Sequence, residues 1–577
     1  MRKTGAQIVW EMLHREGVEV VFGIPGGGIM HTYHPRQEVG IHHVLVRHEQ
    51  SAAHAADGYA RASGRVGVAM ATSGPGATNL VTGIATAMMD SSAIVCITGQ
   101  VSTSVLGTDA FQEADITGIT LPITKHNFLV TDIDELAVTI RDAFEIARSG
   151  RPGPVLVDLP SSVQRAETEF VATDGPSAYA IRSAPEPDPV ALDRAIELID
   201  RSHRPVILAG RGVLLSETAD DLLGFAEKTR TPVAVTLLGK GAFPPSHPLF
   251  LGMMGMHGHP TANHAIQEAD LLIALGMRFD DRVTGNPAVY AVQARKIHID
   301  IDEAEIDKVI GTDVAVHADL RTALAALRDR AQPASHDDWI GRIERRRTEE
   351  RGQDALRQPP TEDLPAPHII DAIHTATSGN AVIVTDVGQN QMWAAQYYAT
   401  KTGRAFLSSG GLGTMGFGLP AAIGAQFARP DDEVWAILGD GGFQMSLHEL
   451  ATLVQERLPI RIALINNHCL GMVRQWQTMF YDGRYEATDL LNPDFRRLAE
   501  AYGIEAFRAS GLDGAREAIA AARGVRGPVL IDFEVAREGE LSHVYPMVPA
   551  GAALDEMIHR APVAAGAPIG RSSWIAR

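Results

Sequence analysis

Two short polar segments stand at a spacing that chemistry can use. An apolar run, Val434 to Leu438, ends in Gly439-Asp440-Gly441-Gly442, and a second, Ile460 to Ile465, ends in Asn466-Asn467. Twenty-six residues lie between Asp440 and Asn467, enough for one β-α-β crossover. Such a crossover puts both side chains at the carboxyl edge of neighbouring parallel strands, where open α/β sheets take ligands. A carboxylate, a carboxamide and nearby backbone carbonyls form an all-oxygen set, which suits Mg²⁺ shared with phosphate groups. The flanking glycines let a diphosphate approach backbone N–H groups. Either piece alone reads as a turn or a helix cap. Both at crossover spacing, each at a strand end, read as a metal–diphosphate site.

A second acid stands far upstream. Arg47-His48-Glu49-Gln50 follows the apolar run His43 to Val46 and precedes SAAHAADGYARASG, whose small residues suit a closely packed helix. Glu49 is therefore expected at a buried strand-to-helix junction. By itself such an acid would serve only the helix macrodipole.

The elements that must hold these groups are legible along most of the chain. Short Val/Ile/Leu-rich runs such as VEVVFGI, VGVAMAT, AIVCITG, RPVILAG, AVIVTDV and IRIALIN alternate with amphipathic stretches, the pattern of an α/β protein with parallel sheets. Two polar, proline-bearing stretches, about 165–190 and 331–366, interrupt the alternation and read as linkers. They divide the chain into three α/β domains, 1–165, 190–330 and 366–545, followed by a tail, 546–577, that reads as a lid or a mobile end. A length of 577 residues accommodates several domains. The 51 Lys and Arg against 70 Asp and Glu give a net charge of −19, which argues against nucleic-acid or anionic-membrane binding. Two distant cysteines, Cys96 and Cys469, fit a reducing cytoplasm better than a disulfide framework or structural zinc. The N-terminus is amphipathic, unlike a signal peptide, and no uninterrupted apolar stretch is long enough to span a membrane.

The spacing of GDG and NN resembles the signature of thiamine-diphosphate-dependent enzymes. The wider set LVRHEQ, ATSGPGATNLVTGIATAMMDS, GTDAFQE, GMMGMHG, MRFDDRVTG, VGQNQMWAAQ, GLGTMGFGLPAAIGA and NNHCLGMVRQWQ is similar to the acetohydroxyacid synthase (acetolactate synthase) large-subunit family, and the likeness covers nearly the whole chain. It implies three doubly wound parallel-sheet domains: pyrimidine-binding, central FAD-binding-like and diphosphate-binding. It implies a transferase that decarboxylates pyruvate on thiamine diphosphate and passes the two-carbon unit to a second pyruvate or to 2-ketobutyrate. The products would be 2-acetolactate and 2-aceto-2-hydroxybutyrate, towards valine, leucine and isoleucine.

The resemblance also assigns residues. Glu49 would be the acid that activates the aminopyrimidine. Asp440, Asn467 and the Cys469 carbonyl would hold Mg²⁺. Gln389, Asn390, Gly441, Gly442 and Met472 would meet the cofactor, with Gly413 and Met415 against the aminopyrimidine and Met415 enforcing its bent shape. Phe111 and Gln112 would line the reaction centre, Arg282 would bind the acceptor carboxylate, and Trp476 would shape the acceptor pocket. A structural FAD would lie on Arg151, Gly210, Gly212, Thr236, His257, Gly276, Arg278, Asp300 and Asp319. A homodimer or homotetramer is implied, with a small regulatory subunit as a further partner. The chain departs from the family's pattern at Pro160-Ser161-Ser162, where a Pro-Lys-Asp segment is usual, at His257-Gly258-His259, and in the histidine-rich GGIMHTYHPRQEVG. The alternatives are another thiamine-dependent 2-ketoacid carboligase, decarboxylase or oxidase, and a catalytically silent paralogue.

Overall fold

The computed structural model describes residues 1–171, 184–357, 364–401, 403–539, 542–549 and 551–558. Strand β1 (Arg2–Thr4) opens the chain. The first sheet comprises β2 (Val20–Gly23), β3 (His42–Leu45), β4 (Gly67–Ala71), β5 (Ile94–Gln100), β6 (His126–Leu129) and β7 (Val155–Pro160). Strand β8 (Glu167–Glu169) returns to pair antiparallel with β1, so the start of the stretch expected as a linker is tied to the N-terminus. Residues 172–183 of that stretch lie outside the described residues.

The second sheet holds β9 (Pro205–Ala209), β10 (Val233–Val235), β11 (Phe250–Met253), β12 (Leu271–Leu275), β13 (Arg295–Asp300) and β14 (Val314–His317). The third holds β15 (Val382–Thr385), β16 (Phe406–Leu407), β17 (Val434–Gly439), β18 (Arg461–Asn466), β19 (Glu505–Ala509) and β20 (Val529–Glu534). The α/β class and its three units are as expected. Each sheet is wholly parallel. Their central strands are buried on both faces, which is why they read as unbroken apolar runs.

Strand order distinguishes the units. The first sheet runs β3-β2-β4-β5-β7-β6 and the third β16-β15-β17-β18-β20-β19, the same 2-1-3-4-6-5 order when each sheet's strands are counted from one. The second runs β11-β10-β9-β12-β13-β14, the 3-2-1-4-5-6 order of dinucleotide-binding folds. In every case the order reverses beside the sheet's first strand, and ligands are expected at the carboxyl ends there.

The first and third sheets share one core. Ala52, Ala55, Ala56 and Tyr59 of the helix Glu49–Ser63 pack in one buried cluster with Leu419, Ala422 and Ile423 of the helix Gly418–Ala428. Small side chains let these two helices approach closely, so the acid-bearing helix is anchored by the third domain. The second stretch read as a linker contains the helix Asp337–Glu350. Its Trp339 is buried and donates to the Pro205 carbonyl at 3.2 Å, so it belongs to the middle unit's packing. Of the tail, residues 559–577 lie outside the described residues. Before them, Val548, Leu554 and Met557 pack with Met254 and Val283 of the middle unit. No helix among the described residues is long and apolar enough to cross a membrane.

Candidate functional site

Asp440 follows β17 directly and begins the helix Asp440–Gln444. Asn466 ends β18 and Asn467 follows it. Strands β17 and β18 are neighbours in register, Gly439 opposite Ile465, so one sheet edge carries all three side chains. The Asp440 carboxylate is buried and its Oδ2 accepts from Asn492 Nδ2 at 2.6 Å. The same amide donates to Asn466 Oδ1 at 2.9 Å. Burial pushes Asp440 up to about 6, against the hydrogen bond from Asn492. A divalent cation beside it would reverse that rise, because an adjacent positive charge favours the ionised carboxylate.

Asn467 Oδ1 accepts from the Cys469 backbone N–H at 3.2 Å, a turn made at His468 with φ +57°. Asn467 Nδ2 donates to Gln389 Oε1 at 3.3 Å. Gln389 and Asn390 are the first residues of the helix Gln389–Tyr397, after β15, so its free N–H groups face the same edge. Gln389 Nε2 is held by Gln475 Oε1 at 2.9 Å and by the Ser542 carbonyl at 2.8 Å. Asn390 Nδ2 donates to the Ile437 carbonyl on β17 at 2.9 Å.

Behind these residues lies Asp386, fully buried at the end of β15. It accepts from the backbone N–H groups of Val387, Gly416 and Gly418. The turn carrying Gly413 and Met415 is thereby fixed. Gly442 has to be glycine, since a Cβ there would come within 2.1 Å of Asp386 Oδ1. Met415 is half-buried beside Gly441, and Gly413 is exposed.

Glu49 opens the helix Glu49–Ser63 and is buried. His48 caps that helix through Nδ1, which accepts from Gln50 N at 3.1 Å. Glu49 Oε2 accepts from Asn79 Nδ2 at 2.9 Å. Phe111 and Gln112 lie in the same domain. Phe111 is 89% exposed, and Gln112 sits against the Gly74 turn with φ +62°, a conformation that costs a non-glycine residue energy.

A cavity of about 930 Å³ opens where the middle sheet's order reverses, between the ends of β9 and β12. Its wall includes Arg151, Gly212, Thr236, His257, Gly276, Arg278, Asp300 and Asp319, together with Arg282, Gly413, Met472 and Trp476. Gly210 lies just behind, against the Gly276 carbonyl. Gly276 takes φ +55°, and a Cβ on it would stand 2.6 Å from Gly212 Cα. This glycine pair leaves bare backbone on the wall, as a pyrophosphate requires. Burial pushes Asp300 up to about 6 and His257 down to about 4. Arg151 reaches across from the first domain to Asp302 at 3.2 Å and Glu305 at 2.6 Å. Asp319 caps the helix Leu320–Arg330. The Arg282 guanidinium is only 3.8 Å from Asp281 at its nearest, and its side chain is 52% exposed. Asp280, by contrast, accepts from the Arg282 and Val283 backbone N–H groups at Oδ1 and pairs with Arg278 through Oδ2 at 3.5 Å.

The chain matches three consecutive family descriptions: the thiamine pyrophosphate enzyme N-terminal TPP binding domain over residues 3–119, the central domain over 192–327 and the C-terminal TPP binding domain over 386–533. It is 48% identical over 564 residues to the acetolactate synthase large subunit of Corynebacterium glutamicum, covering 95% of this chain and 89% of that one. It is 48% identical over 569 residues to an acetolactate synthase of Mycobacterium leprae, covering 96% and 90%. To the acetolactate synthase isozyme 2 large subunit of Escherichia coli it is 44% identical over 557 residues, covering 96% and 99%. The chain belongs to the acetolactate synthase large-subunit family.

Within that family framework, the structure gathers the sequence-read residues into three groups. Asp440, Gly441, Gly442, Asn467, Cys469, Gln389 and Asn390 share the third sheet's edge. The residues read for FAD, Gly210 aside, share the cavity with Arg282, Trp476, Met472 and Gly413. Glu49, Phe111 and Gln112 stand on the first domain, and the Asn79 bond to Glu49 comes from that domain too. Ser161, at the departure from the family's pattern, begins the short helix Ser161–Arg165. Asn79, Asp386, Gln475 and Asn492 join these groups, although no spacing or resemblance above assigns them a role. Asp386 carried a signal, an acid closing the apolar run AVIVT. Asn492, fifty-two residues after Asp440, carried none.

Proposed function

We propose that this protein is an acetolactate synthase that uses thiamine diphosphate, Mg²⁺ and a structural FAD. It decarboxylates pyruvate and transfers the two-carbon unit to a second pyruvate or to 2-ketobutyrate, in valine, leucine and isoleucine biosynthesis. The observation that carries the reading is the convergence of Asp440, Asn467 and Gln389 on one sheet edge, beside a cavity lined by Arg282 and Trp476.

Thiamine diphosphate, when bound, supplies the electron sink for carbanion chemistry. The chain's own residues do the rest. Asp440, Asn467 and the Cys469 carbonyl would hold the cation, and the start of the helix Gln389–Tyr397 would face the diphosphate. Glu49 would exchange a proton with N1′ of the aminopyrimidine. The loosely paired Arg282 guanidinium matches the acceptor's carboxylate as a planar fork. The Trp476 indole gives the acceptor's alkyl group an apolar wall. The glycine pair, Arg151 and Asp300 fit a dinucleotide's pyrophosphate and ribose. Carboligation needs no redox step, so the flavin is structural.

The same reading carries a homodimer in which one copy's first domain completes the other's third. A small regulatory subunit would join this assembly. The two buried free cysteines fit a cytoplasmic location.

Product analysis after incubation with pyruvate, thiamine diphosphate and Mg²⁺ tests the reading. Acetolactate supports it. Acetaldehyde would mark a decarboxylase, acetyl phosphate an oxidase, and no turnover a silent paralogue.

A further inference from the structure

Glu449 is a fully buried carboxylate that none of the chemistry above uses. It ends the turn Leu447–Glu449 of the third domain, just before the helix Leu450–Glu456. Within its own domain its Oε2 accepts from Thr452 Oγ1 at 2.6 Å. Its Oε1 faces the first domain and accepts the backbone N–H of Arg47 at 2.9 Å. Arg47 lies two residues before Glu49, where β3 has ended and the helix Glu49–Ser63 has not begun. A backbone donor there lacks a strand or helix partner and is costly to bury unpaired. A carboxylate makes the stronger, charge-assisted bond.

Further contacts brace the same junction. The Arg47 guanidinium donates to Gln455 Oε1 at 2.9 Å, and His42 meets Glu456 at 2.8 Å. The His48 ring lies 5.9 Å from that of His448, and His448 Nε2 stands 3.4 Å from Glu449 Oε1. Of these groups, only Glu449 is a buried charge spent on the backbone that carries Glu49. A buried charge is expensive, and this one's cross-domain bond contributes little to the folding of the third domain alone.

We propose that Glu449 is a positioning residue, by which the third domain fixes the backbone of the Glu49 junction and so sets the aim of the Glu49 carboxyl. The inference rests on the reading of Glu49 as the activating acid. A displacement of about 1 Å at a reacting group costs of order a hundredfold in rate.

The test is hydrogen–deuterium exchange at C2 of thiamine diphosphate bound to the full-length protein with Mg²⁺, because exchange reports Glu49 action without carboligation. Glu449→Ala should slow exchange by about tenfold or more, with thiamine diphosphate affinity within about threefold of wild type. Glu449→Gln keeps an acceptor for Arg47 N–H and should restore exchange to within about threefold. Wild-type exchange in Glu449→Ala overturns the proposal, as does a slowing matched by an equal loss of cofactor affinity. Should Glu449→Ala fail to fold, Thr452→Val carries the test: slower exchange supports the proposal and unchanged exchange overturns it. Glu49→Gln in the same assay separates the two readings. If it leaves exchange untouched, the acid role of Glu49 falls. If it slows exchange and Glu449→Ala does not, only the positioning role falls.

Discussion

The first and third domains have sheets of one topology and carboxyl edges of opposite character. Both run 2-1-3-4-6-5, and both reverse beside their first strand. At the third domain's edge stand Asp440, Asn466, Asn467, Gln389 and Asn390, cross-linked by Asn492 and Gln475. At the first domain's edge the residues after β4 are small, Thr72-Ser73-Gly74, and the acid is Glu49 with its Asn79 partner. Topology chose the place for a ligand twice. Side chains then made one edge rich in carboxylate and carboxamide groups, and set Glu49 with its Asn79 partner beside small residues at the other. Under the proposed function, a ring to be protonated and a diphosphate to be neutralised would use those two different environments.

Removing the single acid should have the largest effect. Glu49→Gln should lower turnover by about 10²- to 10⁴-fold while cofactor binding, followed by fluorescence titration, stays measurable. Undiminished turnover would erase the contrast between the two edges. The crowded edge should instead degrade gradually. Asn492→Ala removes the amide that bridges Asp440 and Asn466, and should raise the Mg²⁺ concentration for half-maximal activity by about ten- to a hundredfold. An unchanged Mg²⁺ requirement would mean that Asn492 does not tune the cation site.

Smaller still is the expected change at the cavity, where Trp476→Leu should shift the ratio of 2-ketobutyrate to pyruvate use by roughly tenfold. Competition of the two acceptors in one assay measures it. The smallest effect concerns stability. Asp158, on β7 of the first sheet, is buried and pushed up to about 7 from an ordinary value of 3.8, against hydrogen bonds from Thr98 and Gln100. Its folded-state value lies above the unfolded one, so its contribution is full below about pH 4 and is lost as pH rises through about 7. Asp158→Asn should therefore flatten the fall of the thermal midpoint between pH 5 and pH 8. An unaltered slope would show that Asp158 is not the group responsible.

Much of this was legible in the residues. The central strands announced themselves because burial on both faces demands unbroken Val/Ile/Leu runs, as in β5, β9 and β18. Edge strands such as β6, β14 and β19 escaped notice. They are short and partly exposed, so tertiary pairing and not composition makes them strands. Asp440 and Asn467 were legible because a strand end and a crossover length are local properties. Asn492, Asn79 and Gln475 were not, since loop and helix amides look alike until the fold brings one against a carboxylate. Among the residues read for the flavin, His257 showed the same limit: its Nδ1 contact, to the Pro546 carbonyl at 3.3 Å, comes from the distant tail.

The sequence by itself determined the class of fold and the places of Glu49, Asp440 and Asn467 beside strand ends, because strand burial and crossover length are written in neighbouring residues. Only the tertiary structure decided that the first and third sheets share a strand order and one alanine-lined core. It also decided that the residues read for a flavin and those read for an acceptor face one cavity, and that a third-domain carboxylate accepts from the turn before Glu49. Those relations depend on contacts across hundreds of residues, and such contacts arise from packing that no local pattern encodes.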